Sequence, residues 1–201
     1  MNHAHNSDTR NSILDRIVDN EPTSVDALLP ATATKARPIT ILFLAANPAS
    51  TTPLKLDEEV RAIDLALRQA DFRDHFRLEQ QWAVRVTDIQ SLLLRFQPEI
   101  VHFSGHGSID NELIFLDDDG NPQPIAPTAF GRLFGILTDN IRCVILNACH
   151  SAIQAEAIAQ HIDAVVGVSQ LIGDEASIQF ASAFYQALGF GEGTISRLHA
   201  C

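Results

Sequence analysis

Hydrophobic residues follow two alternating rhythms along the chain. Short, nearly unbroken apolar runs of strand length recur between longer segments in which apolar positions return every three or four residues. The first run, Ile39-Thr40-Ile41-Leu42-Phe43-Leu44-Ala45-Ala46, is what a strand covered on both faces requires. It ends at the turn signal Asn47-Pro48. Leu56 to Phe72 then carries apolar residues at Val60, Ile63, Leu65, Leu67 and Ala70, with Asp57, Glu58 and Glu59 in the first turn. That pattern predicts an amphipathic helix whose acids suit the positive end of its dipole.

Phe76 to Val84 predicts a second strand, and Asp88 to Phe96 a second helix stopped by Pro98. Strands are predicted again from Ile100, from Cys143 and over Ala164 to Ser169. Helices are predicted over Thr128 to Leu137, Ser151 to Gln160 and Asp174 to Leu188. Glu112 to Asp117 and a short partner around Pro124-Ile125 flank Asp118-Asp119-Gly120-Asn121, a hairpin with an Asp-Gly turn. The acids there do not make a calcium loop, because EF-type spacing needs an acid where Phe115 stands.

Strands alternating with helices over residues 39–190 predict an α/β fold. Its sheet is mostly parallel, its crossovers are right-handed and helices cover both faces. A small hairpin is inserted late in the order. Residues 1–38 are polar and read as a flexible tail or linker, with one short helix near Ser12 to Asp19; residues 39–201 form the single domain. His3 and His5 fit such a tail better than a metal site. The chain ends soon after the last helix, so a closing strand or helix of such a sheet is expected to be missing.

Composition narrows the class. At 201 residues, 46% hydrophobic and 19% charged, the chain suits one globular domain with a substantial core. A net charge of −11 argues against nucleic acid, whose binding leaves a basic footprint. The acidity is uneven: residues 96–201 hold 12 acidic and 3 basic side chains, a net of −9. A cleft in that half would favour basic substrates, although acidity also serves solubility alone. Three cysteines (Cys143, Cys149, Cys201) form neither a disulfide framework nor a zinc spacing, which fits a reducing compartment. The N-terminus has no apolar signal core and no run reaches membrane-spanning length, so a cytoplasmic protein without membrane contact is expected.

Two runs end in reactive residues: Ile100-Val101-His102-Phe103-Ser104-Gly105-His106-Gly107 and Cys143-Val144-Ile145-Leu146-Asn147-Ala148-Cys149-His150-Ser151. In an open parallel sheet, chemistry gathers at the carboxyl ends of strands. If the two strands are neighbours, His106 and Cys149 leave the same edge side by side, and a thiol with an imidazole in reach is a candidate nucleophile. The imidazole, and the N-terminus of the helix starting near Ser151, would favour a thiolate. Glycines on both sides of His106 give its backbone freedom to adopt unusual angles and approach a ligand. The amides of Gly107 and Cys149 could then face one site and stabilise an oxyanion. Either motif alone also fits an ordinary strand end; it is their combination that points to chemistry. His102 lies inside its strand and reads as a satisfied core histidine. His150 is set aside, and nothing in the sequence assigns a role to Ser104 or Asn147.

These motifs resemble the signatures of the CHAT domain, a caspase-like family related to separases whose name records caspase and tetratricopeptide association. Histidine precedes cysteine by 43 residues, near the spacing of about 50 in caspases. Ala164-Val165-Val166-Gly167-Val168-Ser169, Asp174-Glu175-Ala176 and Phe184-Tyr185-Gln186-Ala187-Leu188 extend the resemblance over about residues 39–190. It implies a caspase–haemoglobinase fold, with His106 as general base and acid, Cys149 as nucleophile and the Gly107 and Cys149 amides as oxyanion hole. Asp174 stands where separase-like relatives place an acid that receives a basic P1 side chain, and its position equally suits capping of the last helix. The resemblance further implies a cysteine endopeptidase that needs no cofactor or metal. Its substrate is a protein or peptide, and it is expected to be latent until an activating protein partner or ligand reorganises its loops. Such proteins often act in regulated proteolysis, including bacterial defence and programmed death. Unlike many family members, the chain shows no long helical-repeat module. Two alternatives stand beside the peptidase: a non-catalytic CHAT interaction module, and a Cys-His acyl transferase or amidase acting on small molecules.

Overall fold

The computed structural model describes residues 37–191 apart from residue 138. Residues 1–36, read above as a tail or linker with one short helix near Ser12 to Asp19, lie outside the described residues. Seven strands and five α-helices alternate: β1 (Ile39–Ala46), α1 (Leu56–Gln69), β2 (Phe76–Gln81), α2 (Ile89–Phe96), β3 (Ile100–Gly107), β4 (Leu113–Leu116), β5 (Pro122–Ile125), α3 (Pro127–Ile136), β6 (Cys143–Asn147), α4 (Ala152–Ile158), β7 (Ala164–Val166) and α5 (Asp174–Phe190). Every element predicted over residues 39–190 is present, most with ends moved by one to three residues. β2 stops at Gln81, where its ladder with β1 ends at the pair Leu44–Gln81.

Five strands form a parallel sheet in the order β2-β1-β3-β6-β7. The chain first steps from β1 outward to β2, then crosses back over β1 and proceeds outward through β3, β6 and β7. The order therefore reverses between β1 and β3, and such a reversal opens a crevice at the carboxyl ends of the two strands. The predicted hairpin is β4–β5, inserted between the His106 and Cys149 strands. It is antiparallel and adds to the far end of β3 through His106–Ile114 and Gly107–Leu113. Its turn is an Asp-Gly turn as expected: Gly120 has φ +83°, and Asp117 accepts the Asp119 and Asn121 amides.

Period-two alternation sends successive strand residues to opposite faces. Leu42, Leu44, Val101, Phe103, Val144 and Leu146 meet α2, α3, α4 and the hairpin, where Phe103, Phe115, Phe130 and Phe134 stack in series. Ile39, Ile41, Phe43, Ile100, Cys143 and Ile145 meet α1 and α5. Burying one such side chain contributes about 1.5–3 kcal/mol, so two apolar faces hold the sheet between two helical layers. Among the described residues no helix is long and apolar enough to cross a membrane.

Candidate active site

The sheet face under α1 and α5 turns polar toward its carboxyl edge. On β3 its alternate positions run Ile100, His102, Ser104, His106; along β6 and just past it they run Cys143, Ile145, Asn147, Cys149. The ladder pairs Ser104 with Asn147, so one step further along both chains stand His106 and Cys149. Their backbones nearly touch. A Cβ on Gly107 would lie 1.8 Å from the carbonyl oxygen of Cys149, and one on Gly105 would lie 2.7 Å from that of Ala46. The glycines around His106 are thus demanded by close approach of neighbouring backbone. Unusual angles are not involved, since the one positive-φ glycine among the described residues is Gly120.

His106 is half-buried, and its Nε2–H donates to the backbone carbonyl of Thr52 at 3.0 Å. Thr52 belongs to the loop after β1, so this bond spans the crevice where the strand order reverses. In the neutral ring, a proton held on Nε2 leaves Nδ1 as the basic nitrogen. Burial lowers the pKa of His106 below its ordinary value, against the smaller opposing pull of the Thr52 bond and the charge of Asp174. Neutral imidazole is the form able to take a proton.

Cys149 is half-buried, and the Ile172 amide points at its Sγ at 3.4 Å, with the Ile172 carbonyl 3.7 Å from the same sulfur. The loop between β7 and α5 therefore lies against the thiol. His150 turns the chain with φ +51°, its amide bonded to the Gln170 carbonyl. Ser151 does not cap α4 with its side chain; its hydroxyl donates to the Leu146 carbonyl and accepts from the Val168 amide, tying the end of β6 to the chain beyond β7. α4 begins at Ala152 and has seven residues, shorter than the predicted span of Ser151 to Gln160.

Beneath the two residues lies a polar cluster that the sequence did not reveal. Glu59, read above as a first-turn acid suited to the helix dipole, is 2% exposed. The buried stripe of α1 runs Leu56, Glu59, Val60, Ile63, Ala66, Leu67, so Glu59 occupies a core position of the helical period. Its Oε1 accepts from His102 Nε2 and from Asn147 Nδ2, both at 2.8 Å, and its Oε2 from Ser104 Oγ at 2.6 Å. His102 Nδ1 meets the hydroxyl of Tyr185, on α5, at 3.1 Å. His102 is the satisfied core histidine expected of it, fully buried with both ring nitrogens bonded. Burial alone would raise the Glu59 pKa, but its bond to and the charge of His102, with the Ser104 and Asn147 bonds, outweigh that and hold it below its ordinary value.

Leu54, Lys55, Glu59, Ser104, His106, Asn147, Cys149, Ile172, Asp174 and Ser177 all border one cleft. Three of the sequence candidates, His106, Cys149 and Asp174, are thus brought together, and Gly107 lies against the Cys149 backbone. Asp174 is the first residue of α5, preceded by Gly173 at the cap position, and it adds a second carboxylate to the cleft. The cleft opens to solvent and has a volume of about 30 Å³, space for about two waters. Its residues can hold, orient and exchange a proton, and its acceptors outnumber its cations.

Comparison with known proteins agrees with this architecture. The CHAT domain family matches residues 21–199. A protein of Gillisia limnaea named "Probable protease" is 25% identical over 150 residues, covering 74% of this chain and 26% of its own length. A "Roc-COR-CHAT protease" from an unknown prokaryotic organism is 27% identical over 155 residues, covering 74% of this chain and 15% of its own. The chain spans about a quarter or less of these relatives. With the family pattern running through nearly the whole sequence and the parallel sheet, flanking helices and hairpin in their predicted places, this chain belongs to the CHAT domain family, caspase-like in fold.

Proposed function

We propose that this chain is a cysteine endopeptidase in which His106 and Cys149 form the catalytic pair. The observation that carries this is the orientation of His106: Thr52 holds its Nε2–H, leaving Nδ1 to serve a thiol presented from the adjacent strand end. Nδ1 takes the proton of Cys149 as Sγ attacks the scissile carbonyl carbon. The amides of Gly107 and Cys149 stabilise the resulting oxyanion. As it collapses, the C–N bond breaks and His106 returns the proton to the leaving amine. A water, deprotonated by His106, then hydrolyses the thioester and frees the thiol. Asp174, and the acceptor-rich cleft around it, favours a basic residue on the acyl side of the cut bond.

The same observations support latency. The cleft is small, about 30 Å³, and the Ile172 backbone lies against the sulfur. Opening the loop between β7 and α5, by a partner protein, would admit substrate and free Sγ. In its bare form the protein is then a slow enzyme, and its setting is regulated proteolysis inside the cell.

The test is a peptide library digested by the wild-type chain, by Cys149→Ala and by His106→Ala, with cut sites mapped by mass spectrometry. Cleavage after Arg or Lys that both substitutions abolish is expected. Cleavage surviving in either variant, or hydrolysis confined to small amides, would contradict it.

A further inference from the structure

Glu59 is a carboxylate at a position where the helical period calls for an apolar residue. Burying an unpaired carboxylate costs several kcal/mol, and a buried charge persists only where hydrogen bonds meet it. Here three donors do so, and they come from the two strands that end in His106 and Cys149. Ser104 stands two residues before His106 on β3, and Asn147 two residues before Cys149 on β6. These two are also partners in the ladder. One carboxylate, anchored on α1, therefore grips both strands at the last rung of the β3–β6 ladder.

A second observation concerns Asn147. Both hydrogens of its amide are engaged, one by Glu59 and the other by the Ser177 carbonyl at 3.4 Å. Among the described residues nothing bonds its buried Oδ1. A buried acceptor left bare is costly, and rotating the amide would relieve it only by turning Oδ1 toward the Glu59 carboxylate. The carboxylate thus dictates the orientation of Asn147 at a cost that packing alone does not explain. At the far end, His102 and Tyr185 close the cluster against α5, the helix that supplies Asp174 to the cleft.

We propose that Glu59 is a positioning residue for His106 and Cys149, fixing the separation and facing of the two strand ends through Ser104 and Asn147. This rests on the assignment of those two residues as the catalytic pair. Glu59 does not touch substrate or exchange the reacting proton; it sets the geometry in which Nδ1 and Sγ meet. Misplacement by about 1 Å can cost 10²-fold in rate, so loss of the carboxylate is expected to slow Cys149 chemistry by at least about tenfold.

The experiment compares the wild type, Glu59→Gln, Ser104→Ala, His106→Ala and the exposed neighbour Glu58→Gln. It reads the rate of Cys149 alkylation by chloroacetamide, the ring-¹⁵N titration of His106 by NMR, and thermal unfolding. Expected are a Glu59→Gln rate close to that of His106→Ala, a displaced His106 titration, cooperative unfolding, and wild-type behaviour in Glu58→Gln. A folded Glu59→Gln with the wild-type rate and the wild-type titration would overturn the proposal and leave the cluster a matter of stability. Should Glu59→Gln not fold, Ser104→Ala, which removes one bond, decides by the same two readouts. If the wild type and His106→Ala alkylate equally fast, the catalytic pair is refuted; the His106 titration in Glu59→Gln then judges positioning alone, displaced in its favour, unchanged against it.

Discussion

The Nε2–H of His106 donates to the carbonyl of Thr52 at 3.0 Å, joining the end of β3 to the loop after β1. This bond orients the ring and, with the nearby charge of Asp174, opposes the burial that lowers its pKa. His106 should therefore titrate below 6.5 in the folded protein. A pKa lowered by folding means that the unfolded chain binds the proton more readily. The associated stability is present above pH 6.5 and is lost as the pH falls through the folded value. Removing the Asp174 charge removes an upward pull, so Asp174→Asn should move the His106 midpoint lower still. NMR titration of the ring in both proteins checks this; an upward move in Asp174→Asn would contradict it.

Gly107 has no room for a side chain. Because a Cβ there would sit 1.8 Å from the Cys149 carbonyl oxygen, Gly107→Ala must push the two strand ends apart. Forced overpacking of this kind costs about 1–3 kcal/mol. A lower melting temperature together with loss of Cys149 reactivity is expected. Alanine tolerated with neither change would show that the two backbones are not in contact.

Cys143 and Cys149 should behave as different reagents. Cys143 is buried in β6, and burial pushes its thiol up to about 11. Native protein treated with iodoacetamide at neutral pH should carry the label at Cys149 and not at Cys143, whereas unfolding in guanidinium should expose both. Peptide mass mapping reads the two sites separately.

Ser151 should matter to stability. Its hydroxyl joins the Leu146 carbonyl to the Val168 amide. Ser151→Ala leaves both without that partner in a buried setting, a loss of about 1–3 kcal/mol. Chemical denaturation measures it, with an unchanged midpoint as the contrary result.

Much of this architecture was legible because β1, β3 and β6 open on apolar runs and α1 and α2 carry clear apolar stripes. His106 and Cys149 stood out because reactive residues follow apolar runs directly. Three parts of the site were not legible. Thr52 acts through its carbonyl, a group every residue carries. Ile172 meets the thiol through its backbone as well. Glu59 looked like a partner of the helix dipole beside Asp57 and Glu58, although its place between Leu56 and Ile63 on the apolar period was a signal that could have marked it. Its partners Ser104 and Asn147 become a pair only through the β3–β6 register, which joins residues far apart in the chain and leaves no local trace.

The central claim is that His106 activates Cys149, and the most direct measurement needs no substrate. The alkylation rate of Cys149 at pH 7 is compared between the native protein and His106→Ala, with Cys143 as the internal reference. A positioned base contributes orders of magnitude to proton transfer, so a native rate at least about tenfold above that of the variant is predicted. Equal rates in the two proteins would contradict the claim.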